Sequence, residues 1–390
     1  MIPGFFPIAK GGAEVFTLNL CKSLLKQGHR VIIVTRNLKL PSEAKIKGIY
    51  VKRFANILPY KIKYYGFGRF LRSKYIRMLV AGFDLIAVVP VLWNLHKKNK
   101  FHLIHASFIF PFGLAGLIFK NIFKLPLVIT VHGPADFYEV PRFFNPILRF
   151  VLRRANAVAV VGEQLKKDLL KRLGYLPIKV VLNGIPIKPF ELTERELQIE
   201  NYSIYSRDFV ILTAGRLVRR KNLDLLIRSI PKIQKKIAHS KLVILGSGIE
   251  RKNLEKLIKD LQLESSIILP GWVSEEEKRK IFKRADIFLQ LSYFEGLSLA
   301  LLESKAAGLP AVVLKASGSL TAVSHRRTGL FVRPPLTTEK IVDCIEQLYK
   351  NVDLRRVLGE NAQKEAKRKY SLERMTQEYI QIYEEVLKYK

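Results

Sequence analysis

Acidic residues are scarce in the first half of this sequence. Residues 1–188 hold 31 Lys and Arg against 7 Asp and Glu, a net of +24. Residues 189–390 hold 36 against 26, a net of +10. The total of +34 is therefore no surface-wide bias, and it argues for an anionic partner on the N-terminal half. Cysteine is nearly missing as well. Cys21 and Cys344 stand too far apart for a metal or redox motif, which fits a reducing compartment. The longest apolar run, "AGFDLIAVVPVLWNL" (81–95), carries Asp84 and Pro90 and falls short of the ~20 residues a bilayer-spanning helix needs. Met1 is followed by no basic start and no small-residue cleavage site, so no signal peptide is read. A cytoplasmic protein, soluble or peripheral on the inner membrane face, is the expectation.

What is present is a repeated α/β pattern. The length suits about two domains, and the 48% hydrophobic content is ample for packed cores. "RVIIVTR" (30–36), "FHLIHAS" (101–107), "PLVITVHG" (126–133) and "AVAVVGE" (157–163) have the continuous apolar character of buried parallel strands. Helical spacing runs through 13–28 and 162–174, each closed by glycine. The cycle restarts with "DFVILTAG" (208–215), "KLVILGSG" (241–248), "SIILPGW" (266–272), "ADIFLQLS" (285–292) and "PAVVLKA" (310–316), with helices predicted over 222–237 and 250–263. Two βαβ series imply two doubly wound, Rossmann-like domains, 1–188 and 204–370, joined near 183–203. A last helix, 371–390, is expected to pack back on the first domain. Such a domain opens with a strand, yet Met1 leads at once into a Pro/Gly loop, so the first strand is expected to be missing.

Five segments in order carry a family likeness: "FPIAKGGAEVFTLNLCKSLLKQGHRV", "VITVHG", "KVVLNGIPIKPF", "AGRLVRRKNLDLLIRSI" and "FEGLSLALLESKAAGLP". Together they resemble the family 4 retaining glycosyltransferases nearly end to end. The resemblance implies the GT-B architecture, two Rossmann-like domains facing across a cleft, and sugar transfer from a nucleotide-sugar donor. It implies no cofactor and no metal.

The residues fit that chemistry. Arg216 and Lys221 follow a strand end, where doubly wound sheets bind ligands, and a guanidinium with an ammonium can neutralise a departing diphosphate. Their neighbours Arg219 and Arg220 read as solvated surface. Gly296, Leu297 and Ser298 precede a helix start, where backbone N–H groups favour anions and Gly296 admits close approach. The resemblance assigns Glu295 to the donor sugar or reacting centre and Glu303 to the ribose hydroxyls; a carboxylate accepts both hydroxyl protons of a diol. It assigns His132, at a strand end, to the donor sugar, and Gly12 to close approach of the donor. Gly246 and Gly248 form a lone G-x-G, too little for a dinucleotide site. The stretch "ASGSLTAVSHRRTGL" departs from the family pattern, with Thr321 in place of a Glu and His325-Arg326 in place of Asp-Gly. Pro186 likewise replaces an Asp.

Acceptor recognition should lie in the basic half. "YKIKYYGFGRFLRSKYIRML" (60–79) and "RFFNPILRFVLRR" (142–154) interleave Lys and Arg with aromatics, as interfacial segments do. They point to an anionic membrane surface and a lipid-linked, polysaccharide or other cell-envelope acceptor. The charge alone would also permit a nucleic-acid-binding protein, but no recognised motif supports one. A GT-B nucleotide-sugar epimerase and an inactive homologue are the nearer alternatives.

Overall fold

The computed structural model describes residues 1, 11–37, 41–54, 74–133, 137, 140–190, 202–316 and 318–388. The chain divides into two compact units, Met1–Gly184 with Leu372–Lys390, and Ile185–Ser371.

In the first unit the order is α1 (Gly12–Lys26), β1 (Ile32–Arg36), β2 (Glu43–Ile46), β3 (Ile49–Phe54), α2 (Lys74–Asn99), β4 (Ile104–Ala106), α3 (Leu114–Phe123), β5 (Leu127–Val131), α4 (Asn145–Arg154), β6 (Ala157–Val160), α5 (Glu163–Leu173) and β7 (Ile178–Val180). β4, β5, β6 and β7 form a parallel sheet in that order. β1 pairs in parallel with β3, which pairs antiparallel with β2 across a Lys47–Gly48 turn. Met1 runs beside β1: its amino group donates to Ile32 O at 2.7 Å, and Val34 N donates to Met1 O at 2.9 Å. That is the bond pattern of a parallel bridge opposite Ile33.

The run 81–95 is part of a single helix, α2. Its buried acid, Asp84, pairs with Arg36 at the end of β1, which removes the cost of an isolated buried carboxylate. No helix of the described residues is long and apolar enough to cross a membrane. Most of the basic segment 60–79 lies outside the described residues; its last residues open α2.

The second unit contains β8 (Phe209–Ala214), α6 (Leu223–Lys236), β9 (Ser240–Leu245), α7 (Arg251–Asp260), β10 (Ile267–Gly271), α8 (Glu275–Arg284), β11 (Ile287–Gln290), α9 (Leu299–Ala306), β12 (Ala311–Leu314), α10 (Ser319–Ala322), β13 (Gly329–Val332), α11 (Thr338–Lys350) and α12 (Val352–Lys369). Its six strands are all parallel, in the order β10-β9-β8-β11-β12-β13. This is the doubly wound 3-2-1-4-5-6 arrangement, with the switch point between β8 and β11. The inner strands β8, β11 and β12 are buried on both faces, and Leu226, Ile230, Ile233, Ile341 and Ile345 of the flanking helices complete the core.

The last helix, α13 (Leu372–Lys388), belongs to the first unit. Met375, Tyr379 and Ile382 pack with Phe16 and Leu20 of α1 and with Val128 of β5. A buried polar chain fixes its register. His105 shares hydrogen bonds with Tyr383 and Thr130, each at 2.7 Å, and Thr130 shares one with Tyr379 at 2.8 Å.

Candidate active site

The loops that leave β8 and β11 meet at the switch point of the second unit. After β8, Gly215 adopts φ +146°, and a side chain there would press on Lys221. The loop is held from below by two glycines whose function is close packing. A Cβ on Gly246 would lie 2.0 Å from Gly215 O, and one on Gly248 would lie 2.2 Å from Leu217 O. Gly246 and Gly248 thus shape the loop after β8 from the next strand.

Residues 219–222 then turn back toward β11. Asn222 sits in the left-handed region at φ 52° and donates from Nδ2 to Leu291 O at 2.6 Å. Tyr293 N donates to Arg220 O at 3.3 Å, and Arg220 donates to Phe294 O at 2.9 Å. This stitching brings both Lys221, at 2.6 Å, and Arg220, at 2.7 Å, onto the same oxygen of Glu295. Burial alone would raise the Glu295 carboxyl, but Lys221 and Arg220 outweigh it and hold the group at about 2. Arg220 is therefore a site residue and not solvated surface; sequence reading missed it because its partner is 75 residues away. Arg216 is exposed, with no hydrogen-bond or ion-pair partner among the described residues. Across Arg216, Arg220, Lys221 and Glu295 the formal charge is +2.

Gly296 and Leu297 are buried in the turn into α9, and Ser298 caps that helix by accepting from Leu301 N. A Cβ on Gly318 would lie 2.2 Å from Gly296 O, so the Gly318 turn rests directly on the Glu295–Gly296 backbone. Glu303, on α9, meets Lys278 of α8 at 3.0 Å, and Lys278 also pairs with Glu275 at 2.9 Å. Burial raises the Glu303 carboxyl, and Lys278 offsets only part of that. Lys278 is a second residue that sequence reading missed. Nothing in "SEEEKRKIFKR" sets it apart from its neighbours.

Among the departures near Thr321, the Thr321 hydroxyl is buried with no hydrogen-bond partner among the described residues. Thr321 offers its carbonyl to Tyr370 at 3.3 Å. His325 stacks on Phe331, and Arg326 occupies the left-handed region at φ 58°.

In the first unit, His132 follows β5, with its ring edge-on to Phe16 at 4.6 Å between centroids. Burial lowers it to about 3, so it is a neutral imidazole at physiological pH. Gly12 begins α1 one turn before Phe16 and is exposed; a Cβ there would meet nothing within 4 Å among the described residues. Among the described residues the glycine answers no packing demand. Among the described residues, no group of three or more His, Cys, Asp or Glu is placed to hold a metal ion.

Two Rossmann-like units, the second with a basic switch-point site, define the GT-B class of glycosyltransferase folds. The chain belongs to glycosyltransferase family 4: residues 10–188 match Glycosyltransferase Family 4, and residues 194–365 match Glycosyl transferases group 1. It is 22% identical over 384 residues to N-acetyl-alpha-D-glucosaminyl L-malate synthase of Bacillus anthracis, covering 97% of this chain and 95% of that one. It is 25% identical over 329 residues to the GPI3 subunit of phosphatidylinositol N-acetylglucosaminyltransferase of Saccharomyces cerevisiae, covering 82% and 68%. Among solved structures, Anabaena HepE in complex with UDP-glucose superimposes with a TM-score of 0.78 at 19% identity, covering 99% of this chain and 98% of that one.

Proposed function

We propose that this glycosyltransferase moves a sugar, with retention and without a resident metal, from a nucleoside-diphosphate sugar to a lipid-linked or other cell-envelope acceptor at a membrane surface. The observation that carries the donor reading is the Glu295 carboxylate clamped by Lys221 and Arg220 at the switch point. The net +2 of this cluster suits the about two negative charges of a diphosphate diester, and such preorganised cations stabilise the leaving group as the sugar–phosphate bond breaks. Because Glu295 stays ionised, it is no proton donor; it accepts hydrogen bonds from sugar hydroxyls. The neutral His132 supplies a further hydrogen bond to the sugar. Glu303 grips the ribose diol, and Gly12 leaves room for the donor beside α1.

In the step so composed, the anomeric carbon–phosphate oxygen bond breaks and the acceptor oxygen bonds the same face of that carbon. The acceptor proton passes to the departing phosphate oxygen. UDP-glucose in HepE and the phosphatidylinositol acceptor named for the yeast relative support the donor and acceptor classes. The malate acceptor named for the Bacillus relative shows how widely acceptors differ among relatives.

The test is a set of radiolabelled nucleotide sugars incubated with a membrane lipid extract, the product's anomeric configuration being read by NMR. Label should enter lipid with retention, and Glu295→Gln should lower the rate at least ~100-fold while nucleoside-diphosphate binding changes little. Inverted product, or sugar nucleotide isomerised without any acceptor, would overturn the reading.

A further inference from the structure

The basic half contains one helix whose outer face is unlike the solvent face of an ordinary amphipathic helix. On α4 and the turn before it, Phe143 is 62% exposed, Ile147 40% and Phe150 46%. Spacings of four and three place them on one stripe. Leu148, Val151 and Leu152 point the other way, into the unit. Arg142, Arg149 and Arg153 repeat at intervals of seven and four and are exposed beside the apolar stripe. Arg154 extends over the Phe150 ring at 4.2 Å.

The face continues onto neighbouring elements. Lys120 of α3 donates to Arg154 O at 2.5 Å. Beyond α5, Tyr175 is 81% exposed next to Gly174, against which the Arg149 guanidinium rests. From residue 85 to residue 162 the only acids are Asp136 and Glu139, against nine Lys and Arg.

Exposed aromatic and branched side chains beside arginines match the boundary between acyl chains and anionic head groups. Nucleic acid would satisfy the arginines but leave Ile147 without a partner. We propose that α4 is a membrane-docking helix, inserting Phe143, Ile147 and Phe150 into an anionic leaflet while Arg142, Arg149, Arg153 and Arg154 engage lipid phosphates. This deepens the membrane part of the proposed function and is independent of the donor site.

Co-sedimentation of the full chain with phosphatidylcholine vesicles, and with vesicles holding half phosphatidylglycerol, tests it. Wild type should bind the anionic vesicles and leave the neutral ones. The triple variant Phe143→Ser/Ile147→Asn/Phe150→Ser should lose at least about tenfold in partitioning. Arg149→Gln/Arg153→Gln should lose about fivefold per arginine. All five side chains are exposed, so melting temperature and nucleoside-diphosphate binding should stay at wild-type values in both variants. Equal binding to both vesicle types, no binding to either, or a triple variant that binds like wild type would overturn the proposal. So would binding of a duplex oligonucleotide, but not of vesicles, that the arginine variant abolishes. If docking holds and no nucleoside diphosphate binds, the donor reading fails and the docking helix stands.

Discussion

Glu303 and Lys278 form a largely buried ion pair, and in the function proposed above its ionisation sets how a ribose diol is held. Glu303 is faced by Lys278 and Glu275, both from α8. Burial raises its pKa above the ordinary carboxylate range, and only the ionised form accepts both hydroxyl protons. Nucleoside-diphosphate affinity should therefore fall as pH drops through that raised pKa. Lys278→Met removes the cation that opposes the shift, so titration calorimetry should find the acid limb moved to higher pH, with Lys278→Arg restoring it. An acid limb at the same pH in all three proteins would refute the role given to Lys278. At this scale the acids were legible, since Glu295 and Glu303 stand out in an apolar run. Arg220, Asn222 and Lys278 were not, because their partners lie between 25 and 75 residues away and only the sheet order brings them close.

Strands buried on both faces announce themselves as apolar runs, which is why β1, β4 to β6 and β8 to β12 were readable. The β2–β3 hairpin was not, because β2 reads Glu-Ala-Lys-Ile and is largely exposed, too short and polar for a clear alternation. α2 escaped for the opposite reason: its apolar residues surround the helix, and Asp84 becomes intelligible only beside Arg36. The turn before β13 shows a local cost. Arg326 holds a left-handed backbone that costs a non-glycine residue about 1–2 kcal/mol. Arg326→Gly also widens the unfolded ensemble, so a net gain of roughly 0.5–1 kcal/mol is expected from urea denaturation. A loss would contradict this. Gly248→Ala should do the reverse. Its Cβ meets backbone atoms of Leu217, so stability should fall by about 2 kcal/mol or more, and donor binding should weaken as the Arg216 loop is displaced. Unchanged stability would show that the loop yields.

Across the whole molecule, charge and chain path divide the work. The first unit holds α4, proposed above to dock on a membrane, and is closed by α13, whose core residues Met375, Tyr379 and Ile382 arrive from the far end of the sequence. It also buries two histidines, His105 and His132, and burial lowers both. In the unfolded chain each takes a proton near pH 6.5, while the folded unit does not until much lower pH. Stability should thus decline as pH falls below about 6.5, by up to about 1.4 kcal/mol per pH unit for each histidine. Denaturation between about pH 6.5 and about pH 5 should show a shallower slope for His132→Gln than for wild type; equal slopes would remove His132 from the account. The two-unit plan was legible because the βαβ cycle restarts after residue 207. The way β3 runs between β1 and β2 has no such periodic signal.

In the proposed function a nucleoside-diphosphate sugar binds at the β8–β11 switch point of the second unit. Thermal shift with a panel of nucleotide sugars tests it most directly, using wild type, Arg216→Ala and Glu303→Ala, because a ligand that binds only the native state raises its melting temperature. At least one donor should stabilise wild type by several degrees at concentrations where neither variant responds. Equal shifts in all three proteins, or no shift with any donor, would contradict the claim.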